Sequence, residues 1–260
     1  MAFLLLDHFG VSTTDVLTGR EVDTALVQQL NGMVERVNNH EPIQYVLGYA
    51  WFYGLKVTVD PSVLIPRPET EGLVDILLDR FKNGQKIRAL DLCTGSGAIA
   101  VALAVSRPDW EVTATDFSTN ALQTARYNAT EQGAAVRLIL HDTLSAVPPA
   151  PGTVHAIVSN PPYIPLSEKS TLPEHVLMHE PSMALFTTDE EGMEFYQAIA
   201  RIALQCLEPS GLLAVEVHER GASAVAAIFT DAGFRSVDVE KDQFGKPRYV
   251  TALSPAGKPA

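Results

Sequence analysis

The stretch Ile87-Arg-Ala-Leu-Asp-Leu-Cys-Thr-Gly-Ser-Gly97, running directly into Ala98-Ile-Ala-Val-Ala-Leu-Ala-Val105, decides how this chain folds. A short apolar run ends in Asp91, a loop with Gly95 and Gly97 follows, and an apolar helix begins with no further spacer. Glycines let a backbone approach a ligand closely, and a helix N-terminus presents unpaired N–H groups and positive potential. Taken alone, such a loop is a weak signal, because the same device holds many nucleotides and also serves as a tight turn. Its surroundings strengthen it. Short apolar strands are expected at 87–92, 112–115, 136–140, 154–159 and 212–217, separated by helices near 98–106, 119–131, 192–207 and 222–232. Strands alternating with helices imply an α/β fold with a mainly parallel, Rossmann-like sheet. Segments 235–240 and 248–253 close the series as an antiparallel hairpin at the edge.

Upstream of residue 84 the pattern differs. From 21 to 39, apolar residues at Val22, Ala25, Leu26, Leu30, Met33, Val34 and Val37 share one face of a helix, which Asn38-Asn-His-Glu-Pro42 stops. Segments 50–53 and 55–59, aromatic and β-branched around Gly54, form a hairpin. Pro61, Pro66 and Pro68 then stiffen a connector, and a second helix spans 69–81. The chain thus divides into a helical part at 1–45, a hairpin linker at 46–66 and the main domain at 67–260.

Composition bounds the function. With 46% hydrophobic and 19% charged residues the chain of 260 is an ordinary folded protein. A net charge of −12 has the wrong sign for tight binding to a phosphate backbone, so free nucleic acid is a disfavoured partner. The longest apolar run, 98–105, falls far short of the roughly 18 residues that span a bilayer. Met1-Ala-Phe-Leu-Leu-Leu6 has no basic residue before it, unlike a secretory signal, so a cytoplasmic location is expected. Two cysteines, Cys93 and Cys206, support neither a disulfide framework nor a cysteine zinc site. His175 and His179 have the i, i+4 spacing of a metal pair but lack a third ligand, so they are expected as surface histidines and no metal is assigned.

The candidate site gathers at strand ends. The predicted strands place Asp91, Asp116 and Asp142 at their carboxyl ends, where open α/β sheets bind ligands. Asp116 is placed to accept from both ribose hydroxyls, and Asp142 from an adenine amino group, although loop aspartates also serve as plain helix caps. The loop, Cys93, Thr94, Gly95, Ser96 and Gly97, lacks the G-x-G-x-x-G spacing of pyrophosphate binders. Downstream, Asn160-Pro161-Pro162-Tyr163 follows an apolar strand. The prolines remove backbone donors and hold Asn160 extended, so its side-chain carbonyl and the Pro161 carbonyl can each accept one hydrogen of a planar NH2 group. Tyr163 can cover the flat face of that group and exclude water. Together the two features point to an S-adenosylmethionine-dependent N-methyltransferase, with Asn160 touching both cofactor and substrate and Thr143 beside the cofactor.

With those residues in view, the chain resembles the release-factor glutamine N5-methyltransferase family. The likeness rests on Glu41-Pro-Ile-Gln-Tyr45 with Gly48, Phe52-Tyr-Gly54, Val63-Leu-Ile-Pro-Arg-Pro-Glu-Thr-Glu71, Asp91 to Gly97, Asp116, Asn160-Pro-Pro-Tyr-Ile-Pro165, Glu180-Pro181 with Ala184-Leu185, and Lys241-Asp242 with Gly245 and Arg248. The resemblance implies a helical substrate-recognition domain, a β-hairpin linker and a seven-stranded class I methyltransferase domain. It also implies that the substrate is the glutamine amide in the Gly-Gly-Gln loop of peptide-chain release factors. Three positions depart from the family pattern: Cys93 stands where glycine is usual, Thr143 where a bulkier residue is frequent, and His218 where glycine is common. Arg67 and Glu69 can form a structural ion pair, the preferred reading, or line the entrance beside the cofactor. A methyltransferase acting on exocyclic amines of DNA or RNA is the alternative, since Asn160 to Tyr163 suit those amines equally.

Overall fold

The computed structural model describes residues 8–19, 23–82, 84–145, 147–148 and 153–256. The apolar start at 1–6 and the expected helix start at Val22 lie outside the described residues. Two small pairs of strands stand apart from the main sheet: the antiparallel hairpin of β1 (Tyr49–Phe52) and β2 (Leu55–Thr58), and the parallel pair β7 (Ile164–Pro165) and β8 (Phe186–Thr187). Seven strands form the central sheet: β3 (Arg88–Leu92), β4 (Glu111–Asp116), β5 (Val136–Leu140), β6 (Val154–Ser159), β9 (Leu207–Glu216), β10 (Arg235–Lys241) and β11 (Pro247–Leu253). Their order is β10-β11-β9-β6-β3-β4-β5. The five strands from β9 to β5 run parallel, while β11 lies antiparallel between β9 and the edge strand β10. The order reverses between β3 and β6, and a doubly wound sheet opens a crevice at the carboxyl ends there.

Both sheet faces are covered. The Ala98–Ser106 helix is buried from Ala98 through Ala104, which explains an apolar run with no polar face. It shares one core with Leu73 and Leu77 of the Glu71–Arg80 helix and with Phe52 and Val57 of the hairpin. Leu90, Leu92 and Ile157 point the other way, against Ile199 and Phe229 of the Glu194–Cys206 and Ala222–Asp231 helices. Truncating any of these leucines to alanine would cost about 2–5 kcal/mol through lost burial and the cavity left behind. No described helix is long and apolar enough to cross a membrane.

Strand β9 begins at Leu207, earlier than the alternation at 212–217 suggests, directly after the helix ends at Cys206. A register shift against β6 between Val154 and Ala156 absorbs the extra residues. At Gly211 an added Cβ would lie 2.9 Å from the Glu208 carbonyl oxygen.

Several side chains tie the β1–β2 hairpin to the helices beside it, Gln132 donating to the Lys56 carbonyl and Glu71 accepting from the Tyr53 N–H, and one of them makes two of the bonds. Asn128, buried on the Thr119–Glu131 helix, accepts from the Thr58 N–H at 2.7 Å. It also donates to the Thr58 and Ser96 carbonyls at 2.9 and 2.8 Å. The proline connector is tied as well, the Tyr45 hydroxyl donating to the Val63 carbonyl at 2.6 Å. Upstream, the Thr24–Asn38 helix is capped by Asp23 and buries none of its residues. Leu26, Leu30, Met33 and Val37 of its apolar stripe are half-buried, while Ala25 and Val34 are exposed, so this face is not packed inward as the periodicity suggests.

Candidate active site

A cavity of 380 Å³ opens where β3, β4, β5 and β6 end. Cys93, Thr94, Gly95 and Ser96 form one wall, and Asp116, Asp142 and Thr143 a second. Asn160 and Pro162 close it on the side of β6. Asp91, Gly97, Pro161 and Tyr163 do not line it.

The loop after β3 turns through left-handed backbone at Cys93 (φ 59°), Gly95 (φ 55°) and Gly97 (φ 80°). The two glycines serve different ends. A Cβ at Gly97 would meet the Ala125 Cβ at 3.0 Å, so that glycine lets two helices approach, whereas nothing lies within 4 Å of one at Gly95. Cys93 adopts with a side chain what glycine adopts freely, at a cost of order 1–3 kcal/mol. Its Sγ lies 3.6 Å from the Thr143 hydroxyl.

Asp91 corrects the simplest expectation for the strand-end aspartates. It is 0% exposed and meets no ligand space; its Oδ2 accepts from the Thr94 hydroxyl at 2.6 Å, while Oδ1 has no partner. Burial raises its carboxyl to about 7, the Thr94 bond opposes this and the Asp116 charge adds to it. Asp91 thus props the loop from beneath. Asp116 does reach the cavity: its Oδ2 accepts from the Gly95 N–H at 2.8 Å and its Oδ1 from the Ser118 N–H at 2.9 Å. Burial raises its pKa, opposed by those backbone bonds. Each oxygen retains lone-pair capacity for a ligand hydroxyl. Asp142 Oδ1 accepts from the Leu144 N–H at 2.9 Å, so the plain turn-forming role and the ligand-facing position coexist. Phe117, 64% exposed, offers an aromatic face at the rim.

The Asn160 side of the cavity is assembled from distant segments. The Asn160 side-chain NH2 donates to the Thr70 hydroxyl oxygen at 3.1 Å, and the Thr70 hydroxyl donates to Glu216 Oε2 at 2.7 Å. Glu216, at the end of β9, is 2% exposed and also holds the Tyr163 hydroxyl. Its backbone carbonyl accepts from the Tyr196 hydroxyl at 3.0 Å. Burial raises Glu216 to about 7 and Glu69 pushes the same way, while the Thr70 and Tyr163 bonds and the Arg248 charge oppose it. Tyr163 therefore sits behind the cavity wall, its phenol raised by burial and by Glu216, and its ring centroid 6.3 Å from that of His218. Beyond it the chain is pinned by Gly192 (φ +73°), where a Cβ would fall 2.6 Å from the Tyr163 carbonyl oxygen.

Thr70 and Glu216 are the site residues that sequence reasoning missed. A signal existed for each: Thr70 lies inside the 64–71 segment, and Glu216 is a lone acid within the otherwise apolar run 212–217. Arg67 pairs with the buried Glu180 at 2.5 Å rather than with Glu69, and it lines the cavity. His175 is exposed, whereas His179 is half-buried, and no cluster of three or more metal-ligating side chains occurs among the described residues. A larger cavity of 690 Å³ lies between the Glu71–Arg80 helix and β10 and β11. It is walled by Glu69, Glu71, Asp75, Asp79 and Glu240 and contains neither the glycine loop nor Asn160.

Residues 1–48 match a family model described as the PrmC N-terminal domain, and residues 71–188 one described as the methyltransferase small domain. The release factor glutamine methyltransferase of Bacteroides thetaiotaomicron is 39% identical over 248 residues, covering 95% of this chain and 88% of that protein. Its counterpart in Streptococcus pneumoniae is 39% identical over 254 residues (96% and 89%), and that of Deinococcus radiodurans 35% over 259 (98% and 91%). Among solved structures, a methyltransferase from Pyrococcus furiosus superposes with a TM-score of 0.58 at 22% identity, over 86% of this chain and 99% of that one. The hMettl16 catalytic domain bound to an RNA hairpin reaches 0.63 at 16% identity, over 79% and 76%, a likeness of fold alone. Near-complete coverage by relatives well above 30% identity leaves one assignment: this chain belongs to the release factor glutamine methyltransferase family.

Proposed function

We propose that this protein transfers a methyl group from S-adenosylmethionine to the side-chain amide nitrogen of the glutamine in the Gly-Gly-Gln loop of peptide-chain release factors. One observation carries the reading: Asp116 at the end of β4 and Asn160 just after β6, on either side of β3, line a single cavity, one suited to a ribose and the other to an amide. The residues present fit the cofactor. A cavity of 380 Å³ is of ligand size, Gly95 leaves open space for close approach, and Asp116 offers an anionic acceptor where a pyrophosphate would be repelled. Phe117 supplies an aromatic face and Asp142 an acceptor for the adenine. When bound, the cofactor supplies an electrophilic methyl on a sulfonium.

The chain's residues then act by position. An amide nitrogen is a poor nucleophile because its lone pair is delocalised, so holding it in line and dry provides much of the rate. The Asn160 side-chain oxygen takes one hydrogen of the substrate NH2; Pro161, expected to take the other, stands outside the cavity lining, and Pro162 and the wall behind it exclude water. Residues 1–45 serve as the docking part, 46–66 as linker and 67–260 as catalytic domain, in the cytoplasm where translation ends. The acidic net charge supports a protein loop as substrate over a nucleic acid strand.

Co-expression with a release factor tests this directly. Mass spectrometry should find one added methyl on the loop glutamine. Labelled methyl appearing in adenine-containing DNA, with none in the release factor, would instead support the nucleic-acid alternative.

A further inference from the structure

The two ends of an asparagine carboxamide have nearly the same shape and opposite hydrogen-bonding character. For a substrate NH2 only one orientation works: with the amide oxygen toward the cavity the substrate donates, and with the NH2 group toward it two donors collide. Something must choose. The choice is made two residues away from the reacting atoms.

A carboxylate at Glu216 can only accept, and the Thr70 hydroxyl has one hydrogen, which is committed to Glu216 Oε2 at 2.7 Å. Thr70 Oγ1 can therefore only accept from Asn160, 3.1 Å away, and the Asn160 atom facing it must be the nitrogen. The amide oxygen is left at the other end, and Asn160 and Thr70 both border the cavity. We infer that Thr70 and Glu216 are positioning residues that lock the Asn160 carboxamide with its oxygen toward the substrate amide. The inference rests on the glutamine-amide reading above. The groups around Glu216 suit this role. Arg248 favours its charge and is itself paired with Asp242 at 3.2 Å, so it does not need Glu216 as its sole partner. Glu69, Tyr163, Tyr196 and Tyr249 complete the surroundings.

Reversing the direction of the relay should reverse the amide. In Thr70→Val the Asn160 NH2 loses its acceptor. In Glu216→Met the freed Thr70 hydroxyl can turn and donate to the Asn160 oxygen, stabilising the wrong end; Thr70→Val, which leaves the buried acid in place, tests the same relay without removing a buried charge. The test is methyl transfer to a release factor at pH 8, where Glu216 is ionised, with kcat and KM measured separately and cofactor affinity followed by calorimetry. Thr70→Val and Glu216→Met should each lower kcat about tenfold, the value of one hydrogen bond, with KM and cofactor Kd within about twofold. Thr70→Ser, which keeps the hydroxyl, should recover most of the loss. Equal kcat for the serine and valine variants, or wild-type kcat in Glu216→Met, would overturn the inference while leaving the proposed activity standing. A wild-type enzyme that transfers no methyl to the release factor would overturn both.

Discussion

Asp91 and Glu216 are two buried acids with the same displaced carboxyl, each near 7, and they stand on opposite sides of one site. Asp91, the penultimate residue of β3, takes its side-chain hydroxyl partner from a threonine three residues away. Glu216 ends β9 and takes its hydroxyl partner across a sequence separation of 146. In the half proposed for the cofactor, Asp91 takes its hydroxyl partner within one strand and loop, although Asp116 and Thr143 reach that loop from later strands, whereas the half proposed for the substrate joins Thr70, Asn160 and Glu216 across separations of 90 and 146. That contrast teaches where each half is vulnerable: the first through backbone shape and electrostatics, the second through side-chain orientation.

Removing Asn160 strikes the substrate half hardest. Asn160→Ala should lower kcat about 100-fold or more, since misplacing a reacting group by an ångström costs that much, and leave cofactor Kd nearly unchanged by calorimetry. A comparable loss of cofactor affinity would merge the two halves. Asp116→Ala is the mirror experiment. Losing charge-assisted bonds should weaken cofactor binding about 10- to 100-fold, with kcat at saturating cofactor largely kept.

A third prediction concerns the local acid alone. Between about pH 4 and pH 7 the folded chain keeps a proton on Asp91 that the unfolded chain has released, so raising pH through that window destabilises the fold. Asp91→Asn removes this effect and keeps an acceptor for Thr94. Its unfolding free energy relative to wild type should therefore rise by about 1–3 kcal/mol from pH 5 to pH 8, read from denaturant midpoints. A difference flat across pH would show that Asp91 is not the titrating group. The smallest effect belongs to Cys93→Gly. Relief of left-handed strain is offset by greater freedom in the unfolded chain, so stability should change by under about 1 kcal/mol and cofactor Kd by less than about threefold.

The cofactor half is legible because its determinants are short-range: an apolar strand, two glycines and an apolar helix, with acids at successive strand ends. Even there, residue type does not reveal depth. Asp91 and Asp116 look alike in the sequence, yet one lies beneath the loop and the other beside the ligand space, since the loop's left-handed turns fold over the first strand's end. Tyr163 is expected against the substrate from its place in the tetrapeptide, and the structure sets it behind the wall on Glu216. The Thr24–Asn38 helix has the spacing of a packed helix yet its stripe is only half-buried, because periodicity reports which residues share a face and not what covers it.

Local pattern by itself determined the alternation of strands and helices, the glycine loop, and Asn160-Pro161-Pro162-Tyr163 as the mark of the chemistry, each encoded by neighbours in the chain. The tertiary structure alone decided which end of the Asn160 amide faces the cavity. Thr70, Asn160 and Glu216 are brought within hydrogen-bonding distance only when the sheet and the segment before the Glu71–Arg80 helix pack together. A hydrogen bond's direction depends on its partner's partner, and no spacing along a chain carries that.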